Sequence, residues 1–269
     1  MGLAIDLTGR TILICGVARG GIGGATARQV ARAGGTVIAL DKDQEVLDPT
    51  IADVEALGGT IRSLVVDLYD PAATETVIPT VLERFGPFDG VVNVAGGTRP
   101  DEWMPLDLTP SESFRDTVQL NFGYVFTLCR DAARDWIARD ARGVLVNVSS
   151  VSSLASAPWH GPYGAAKSAI NALTRTMANE WHEFGIRANA VLPGAVASER
   201  VMTRVSTSNV IPGTETNFTQ TDELANAIVF LLSDLASGIS GQSLTVDRSL
   251  STKFCGGQRP SRRNQPEKQ

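Results

Sequence analysis

The chain has 269 residues, of which 43% are hydrophobic and 20% charged, as in an ordinary globular protein with one sizeable core. A formal net charge of −5 argues against a nucleic-acid-binding body, and three widely spaced cysteines suggest neither a disulfide framework nor a metal cluster. No apolar stretch reaches the length of a membrane span and the first residues lack an export signal, so we expect a cytoplasmic protein whose partner is a small molecule, with no nucleic acid and no membrane.

Short apolar runs of strand length alternate with longer helical patterns along most of the chain. The predicted strands cover residues 11–15, 36–40, 61–66, 90–94, 144–148, 187–192 and 243–246. The predicted helices lie near residues 22–33, 50–57, 72–84, 111–139, 162–184 and 222–234. This alternation predicts an α/β fold with a doubly wound, Rossmann-type parallel sheet of about seven strands and helices on both faces. We expect a single domain over residues 1–255 and a polar, disordered tail over residues 256–269.

A glycine-rich segment follows the first predicted strand and precedes a helical pattern. Five glycines lie within nine positions, at residues 16, 20, 21, 23 and 24. Glycines allow a tight turn and a close approach of the backbone to a pyrophosphate, whose charge a helix amino terminus stabilises. Because no Gly-Lys-Ser/Thr follows, the segment favours a dinucleotide site over a nucleoside-triphosphate loop.

The second predicted strand leads to Asp41, at the position from which a carboxylate can accept a hydrogen bond from an adenosine ribose. The same carboxylate would repel a 2′-phosphate, so the sequence favours NAD over NADP as the cofactor. Arg19 and Lys42 are evidence in the opposite direction, since either side chain could pair with a phosphate.

Tyr163 and Lys167 are four residues apart in a predicted helix and follow Ser150, which lies just after the end of the fifth predicted strand. A helix places positions i and i+4 on one face, so the lysine ammonium is expected beside the phenol. A nearby positive charge lowers the pKa of a phenol, which is about 10 when unperturbed, and so suits it to proton transfer near neutral pH. A partly buried tyrosine with a solvated lysine would show the same spacing.

These motifs, in this order, resemble those of the short-chain dehydrogenase/reductase family over residues 8–247. The resemblance assigns the glycine loop, here one residue longer than usual, and several later segments to cofactor binding. The residues so assigned are Gly16, Arg19, Gly21, Ile22, Gly23, Asp41, Asp67, Leu68, Asn93, Ala95, Gly96, Tyr163, Lys167, Pro193, Val196 and Ser198. It also implies a homotetramer, with the helices at 111–139 and 162–184 as dimer faces.

The resemblance further implies how an alcohol would be oxidised. Ser150 donates a hydrogen bond to the substrate oxygen, and Tyr163 takes the hydroxyl proton as hydride leaves for the nicotinamide. Lys167 binds the nicotinamide ribose, and Asn121 holds a water that continues a proton path to solvent. The expected catalytic residues are therefore Asn121, Ser150, Tyr163 and Lys167.

The substrate is expected to lie against side chains that follow the fourth, fifth and sixth strands. The residues assigned to it are Trp103, Ser150, Ser152, Trp159, His160, Tyr163 and Met202. Several are large and apolar, which suggests a carbocyclic or otherwise bulky secondary alcohol or diol. Core or subunit packing would equally account for Trp103, Trp159 and Met202, and His160 could be a surface residue. The two histidines are far apart, and we expect no metal site.

Other functions remain open. An NADPH-dependent ketone or 3-oxoacyl-carrier reductase is the alternative within the same class. A non-catalytic, dinucleotide-sensing protein is the alternative from another class, but Ser150, Tyr163 and Lys167 are all retained. A sugar-nucleotide epimerase is disfavoured, because few residues follow Pro193 to form a separate substrate domain.

Overall fold

The structure, a computed structural model, describes residues 4–199, 201–202 and 218–252. These residues form a parallel sheet in the order β3-β2-β1-β4-β5-β6-β7. The strands are β1 (Thr11–Cys15), β2 (Thr36–Asp41), β3 (Ile61–Val65), β4 (Gly90–Asn93), β5 (Gly143–Val148), β6 (Ile186–Pro193) and β7 (Ser243–Val246). The fold predicted from the sequence is therefore confirmed, whereas the tail over 256–269 lies outside the described residues.

The helices cover both faces of this sheet. They are α1 (Ile22–Arg32), α2 (Gln44–Ala56), α3 (Pro71–Phe85), α4 (Ser111–Val118), α5 (Tyr124–Ala138), α6 (Gly161–Glu180) and α7 (Thr221–Leu232). α1, α2 and α7 pack on one face, around residues such as Val30, Val54 and Ile228. α3, α5 and α6 pack on the other face, where Trp136 is fully buried against Phe88. Burial on both faces explains why the central strands are continuous apolar runs.

Two predicted helices differ from the observed ones. α2 starts at Gln44, six residues before the predicted start, and contains Pro49 in its interior. Proline lacks the N–H of a helical hydrogen bond, but the buried Leu47 and Val54 on either side of it hold the segment against the sheet. The continuous helix expected over 111–139 is instead α4 and α5 joined by a π-helical turn, Gln119–Gly123.

The strand order reverses direction between β1 and β4. Chain segments leave the carboxyl ends of these neighbouring strands toward opposite sides, which opens a crevice there, and open α/β sheets bind ligands in such a crevice. Val94 and Ala95 donate their backbone N–H groups to the Cys15 carbonyl, and these bonds hold the segments that follow β1 and β4 next to each other. No helix of the described residues combines the length and the apolar character needed to span a bilayer.

Candidate active site

The first two turns of α6 carry Tyr163 and Lys167 to the end of β5. Pro162 lies in the first turn of the helix, where a missing N–H costs nothing and the fixed φ suits the helix. The Lys167 Nζ donates a hydrogen bond to the Val148 carbonyl at 2.9 Å, and Ser149 donates its hydroxyl to the Lys167 carbonyl at 2.9 Å. The helix is thus tied to the last residues of β5, directly before Ser150.

Lys167 is buried, with 3% of its surface exposed, and its Nζ lies 5.6 Å from the centroid of the Tyr163 ring. The lysine and the tyrosine share one helix face, as the spacing predicts, but the ammonium lies over the ring and also bonds to a backbone carbonyl. Burial disfavours the charged form, which lowers the pKa of Lys167 from 10.5 to about 7. The amine can therefore hold or release a proton near neutral pH.

Ser150 is 8% exposed and its backbone is extended, with φ −167° and ψ 155°. Its Oγ accepts a hydrogen bond from the backbone N–H of Ser152 at 3.1 Å. Since this bond occupies a lone pair, the hydroxyl proton of Ser150 is left to donate elsewhere. The geometry suits a hydrogen-bond donor to a substrate oxygen.

Asn121 lies fully buried in the π-helical turn, and its side chain clamps the loop after β4. Its Oδ1 accepts from the Gly97 N–H at 2.8 Å, and its Nδ2 donates to the Gly97 carbonyl at 2.9 Å. A Cβ at Gly96 would lie 2.6 Å from that Oδ1 and 3.4 Å from the Lys167 Nζ. The direct role visible for Asn121 is to fix this loop beside Lys167. π-helical turns often mark functional sites.

The glycine loop joins the end of β1 to α1, and its glycines serve different purposes. Gly16 has φ +90°, and a Cβ there would lie 2.6 Å from the Ala95 N. A Cβ at Gly23 would lie 1.8 Å from the Gly16 carbonyl oxygen. These two glycines therefore allow the loop to pack on itself and on the segment after β4.

Gly21 is the N-cap of α1, which has neither a side-chain cap nor an acidic residue in its first turn. The first N–H groups of a helix have no intrahelical partner, and its dipole favours an anion there. The helix end that begins at Gly21 and Ile22 thus fits the pyrophosphate of a dinucleotide.

Asp41, at the end of β2, is anchored to the glycine loop. Its Oδ2 accepts from the Val17 N–H at 2.8 Å and its Oδ1 accepts from the Lys42 N–H at 2.9 Å. The carboxylate is partly buried beside the crevice, where an adenosine ribose would reach it. Exposed Asp67 and buried Leu68 follow β3 at the same end of the sheet, and Asp67 accepts from the Tyr69 N–H at 2.9 Å.

Asn93 differs from the other residues assigned to the cofactor. Its side chain is 1% exposed and donates to the Asn147 Oδ1 at 2.8 Å and to the Cys129 Sγ at 3.3 Å. It therefore joins β4 to β5 inside the protein, and its side chain does not line the crevice. The sequence also missed Tyr124, whose hydroxyl donates to the Ala95 carbonyl at 2.7 Å and so supports the loop after β4 from behind.

The segment after β6 returns over the glycine loop. Pro193 ends the strand, Val196 forms a parallel bridge with Thr219, and Ser198 accepts the Val201 N–H on its Oγ at 3.4 Å. Glu199 donates its backbone N–H to the Gly20 carbonyl at 3.2 Å. These contacts hold the segment that contains Val196 and Ser198 against Thr219 and the glycine loop.

The rings of Trp103 and His160 lie next to Tyr163 and form an aromatic wall beside the candidate catalytic residue. The Trp103 and His160 rings stack with centroids 4.7 Å apart and planes at 21°, and the His160 and Tyr163 centroids are 5.9 Å apart. His160 Nδ1 lies 2.9 Å from the Pro158 carbonyl, so this nitrogen is the donor. In neutral His160 the other nitrogen, Nε2, is then an acceptor, and Ser152 Oγ lies 3.4 Å from it. His160 is thus part of the wall and not a free surface residue.

Trp159 precedes His160 in the chain, and Met202 follows β6; both are largely exposed, at 58% and 43%. Trp159 has φ +69°, an uncommon value for a bulky residue, and its carbonyl accepts the Met104 N–H at 2.8 Å. This bond joins the segment before α6 to the segment that carries Trp103. The residues that the structure describes include no cluster of three or more His, Cys, Asp or Glu side chains suited to a metal ion.

Comparison with known proteins identifies the family. A family model described as enoyl-(acyl carrier protein) reductase matches residues 16–250. The chain belongs to the short-chain dehydrogenase/reductase family. This short-chain dehydrogenase/reductase is an oxidoreductase that acts on alcohol or ketone groups with a nicotinamide cofactor.

Individual relatives cover almost the whole chain. The 2,5-dichloro-2,5-cyclohexadiene-1,4-diol dehydrogenase of Sphingobium indicum is 31% identical over 248 residues, which is 90% of this chain and 97% of that protein. A 3-oxoacyl-[acyl-carrier-protein] reductase of Thermotoga maritima is 31% identical over 255 residues, 91% and 98% of the two chains. The crystal structure of a gluconate 5-dehydrogenase from Burkholderia cenocepacia, in complex with NADP and tartrate, matches with a TM-score of 0.83 at 30% identity, covering 93% of this chain and 98% of that one.

Proposed function

We propose that the protein transfers hydride between NAD and a secondary alcohol or ketone, with a carbocyclic or bulky apolar alcohol or diol as substrate. The observation that carries this proposal is the junction of α6 and β5, where Lys167 lies over the Tyr163 ring and is hydrogen-bonded to Val148, two residues before Ser150 in the chain. A bound nicotinamide would supply the hydride acceptor. The protein's own residues then have to orient the alcohol and take its proton.

Residues at the junction of α6 and β5 can both orient the alcohol and take its proton. Ser150, whose oxygen already accepts the Ser152 N–H, donates a hydrogen bond to the substrate oxygen and stabilises the charge that develops there. Tyr163, as the phenolate, would take the hydroxyl proton, and a bound nicotinamide would accept the hydride from the same alcohol carbon. Lys167, with a pKa of about 7, replenishes or receives that proton near neutral pH. Asn121 holds the Gly97 loop that closes the site behind the lysine.

The preference for NAD is supported by Asp41. Its carboxylate is held at the end of β2 by the Val17 N–H, where it can accept from a ribose hydroxyl and would repel a 2′-phosphate. The NADP complex of the Burkholderia relative shows that this family also accommodates the phosphorylated cofactor. An NADPH-dependent ketone or 3-oxoacyl-carrier reductase is therefore the second candidate, favoured by Arg19 in the glycine loop.

The substrate class is supported by the wall of Trp103 and His160 beside Tyr163 and by the exposed apolar surfaces of Trp159 and Met202. Flat rings at this position suit a cyclic, largely apolar substrate. The Nε2 of His160, the ring nitrogen that does not face the Pro158 carbonyl, adds a polar contact that a second hydroxyl group could use. The relative from Sphingobium indicum, named for a cyclic diol, agrees with this class.

We further propose a cytoplasmic homotetramer with a single catalytic domain over residues 1–255. Support for assembly comes from α5, where Phe126 and Ile137 remain exposed on the outer surface at 43% and 36%, as an unpaired dimer face would leave them. Light scattering on the purified protein measures the mass directly. A monomeric mass would contradict the proposed assembly.

A screen of cyclic secondary alcohols and ketones, with both cofactors and the absorbance of reduced nicotinamide as the signal, tests the proposed reaction. The expected result is turnover of at least one cyclic alcohol with NAD at a kcat/KM at least about tenfold above that with NADP. Turnover with NADPH alone, or of 3-oxoacyl thioesters alone, would favour the second candidate. Tight NADH binding without any turnover would favour the dinucleotide-sensing alternative.

A further inference from the structure

Helix α2 contacts the glycine loop through two side chains that the reaction itself does not use. Thr50 donates its hydroxyl to the Val17 carbonyl at 2.7 Å. One helical turn later, Asp53 accepts from the Arg19 Nε at 2.9 Å on one oxygen and lies 2.9 Å from the Arg19 Nη2 on the other. The carboxylate therefore holds Arg19 in a bidentate pair.

A second guanidinium shares the same carboxylate. Arg28, on α1, lies 3.2 Å from the Asp53 Oδ2 and donates to the Arg19 carbonyl at 3.2 Å. The Asp53 and Arg28 side chains are only 19% and 21% exposed, whereas Arg19 is 63% exposed. The Nε and Nη2 atoms of Arg19 therefore face Asp53 on α2, and the rest of the side chain is largely exposed to solvent.

Arg19 lies in the glycine loop, which is also hydrogen-bonded to Asp41 at the end of β2. Val17, two residues before Arg19, donates its backbone N–H to the Asp41 carboxylate, which marks the position of the adenosine ribose. A phosphate on the ribose 2′-oxygen would enter beside Asp41, within the range that the flexible Arg19 side chain could cover if it were released. Arginine is well suited to such a phosphate, because its planar fork matches two of the phosphate oxygens.

We propose that Asp53 is a cofactor-specificity residue that keeps Arg19 from a 2′-phosphate by holding the Nε and Nη2 edge of its guanidinium against α2. In this proposal the Asp41 carboxylate repels the 2′-phosphate directly, and Asp53 binds the Arg19 side chain that would otherwise attract the phosphate. This inference rests on the proposed use of NAD, and it assigns part of that preference to a residue outside the cofactor crevice.

Equilibrium binding of NADH and NADPH to the full chain, followed by the fluorescence of the reduced nicotinamide, tests the inference without turnover. Asp53→Asn should tighten NADPH binding by about tenfold, the gain of one charge-assisted pair, and leave the Kd of NADH within about threefold. Glu55→Gln is the matched control, since it removes the same charge from an exposed position of the same helix. An NADPH/NADH affinity ratio equal in these two variants would overturn the inference.

Arg19→Ala keeps the inference testable if Asp53→Asn is poorly folded. Alone, this substitution should leave the affinity ratio of the wild type nearly unchanged, because Arg19 is already engaged; a loss of NADPH affinity of about tenfold would overturn the inference. In the double variant, Arg19→Ala should abolish the gain in NADPH affinity that Asp53→Asn produces. A gain in NADPH affinity that persists in the double variant would also count against the role of Arg19. The wild-type ratio tests the proposed NAD preference separately, because the role of Asp53 is read from the change in that ratio.

Discussion

Replacing Lys167 with methionine should change how the stability of the cofactor-free protein depends on pH. Lys167 is 3% exposed and donates to the neutral Val148 carbonyl, so burial lowers its pKa from 10.5 to about 7. An unfolded chain keeps the lysine protonated up to its ordinary pKa, whereas the folded chain releases the proton near pH 7. The unfolded state therefore binds more protons between these two values, and stability rises with pH across this window.

The magnitude follows from the two pKa values. A full proton of difference changes the free energy of unfolding by about 1.4 kcal/mol per pH unit. Between about pH 7 and about pH 9.5 the stability of the wild type should therefore increase by about 3 kcal/mol relative to Lys167→Met, whose side chain has no proton to lose. The methionine also leaves the Val148 carbonyl without this donor, but that cost of about 1 kcal/mol does not depend on pH.

Urea unfolding of both proteins at a series of pH values, at one protein concentration, measures the difference. A fixed concentration is needed because assembly would make the apparent stability depend on it. Lys42→Met is the control, since it removes the same charged group from a side chain that is 66% exposed. A difference between wild type and Lys167→Met that stays constant across this range would show that burial does not depress the pKa of Lys167.

Three further substitutions test other parts of the site. Ser150→Ala should lower kcat/KM by about 10² to 10³-fold with little change in the Kd of NADH, because it removes a donor to the developing oxyanion; a loss below about threefold would contradict that role. His160→Ala should raise the KM for cyclic substrates by about tenfold while the exposed His182→Ala leaves it unchanged, and equal effects would remove His160 from the substrate wall. Asp41→Asn should weaken NADH binding by about tenfold in direct titration, whereas unchanged affinity would mean that the carboxylate does not contact the ribose.

Most of the sheet could be predicted from the sequence because its central strands are buried on both faces. Strands such as β1 and β4 are continuous apolar runs bounded by glycine or polar residues, and that local pattern is sufficient to locate them. The order of motifs along the chain also placed Ser150, Tyr163 and Lys167 at one edge of the sheet, since strand ends and helix starts follow from the same pattern.

Features that depend on tertiary contacts were not predictable. The π-helical turn at Gln119–Gly123 has no proline to mark it, and its Asn121 bonds to Gly97, a residue from a distant segment. Likewise, Arg19 reads as a free cation in the sequence, but the structure pairs it with Asp53 on α2. In both cases the partner is set by how elements pack and not by neighbouring residues.

The stack of Trp103 on His160 has the same origin. The two rings meet because the Trp159 carbonyl accepts the Met104 N–H, which brings two distant segments together. The sequence could name these residues as candidates for the substrate site, but it could not distinguish a ring stacked beside Tyr163 from a histidine on the surface.

The most direct test of the proposed chemistry compares the wild type with Tyr163→Phe on one cyclic alcohol that the wild type oxidises. The phenolate oxygen of Tyr163 is the proton acceptor in this mechanism, and general-base catalysis contributes about 10² to 10⁴-fold. Turnover should therefore fall by at least about 10²-fold, while the Kd of NADH, titrated on the same preparation, stays within about threefold. Turnover by Tyr163→Phe within about threefold of the wild type would contradict the assignment of Tyr163 as the acid/base.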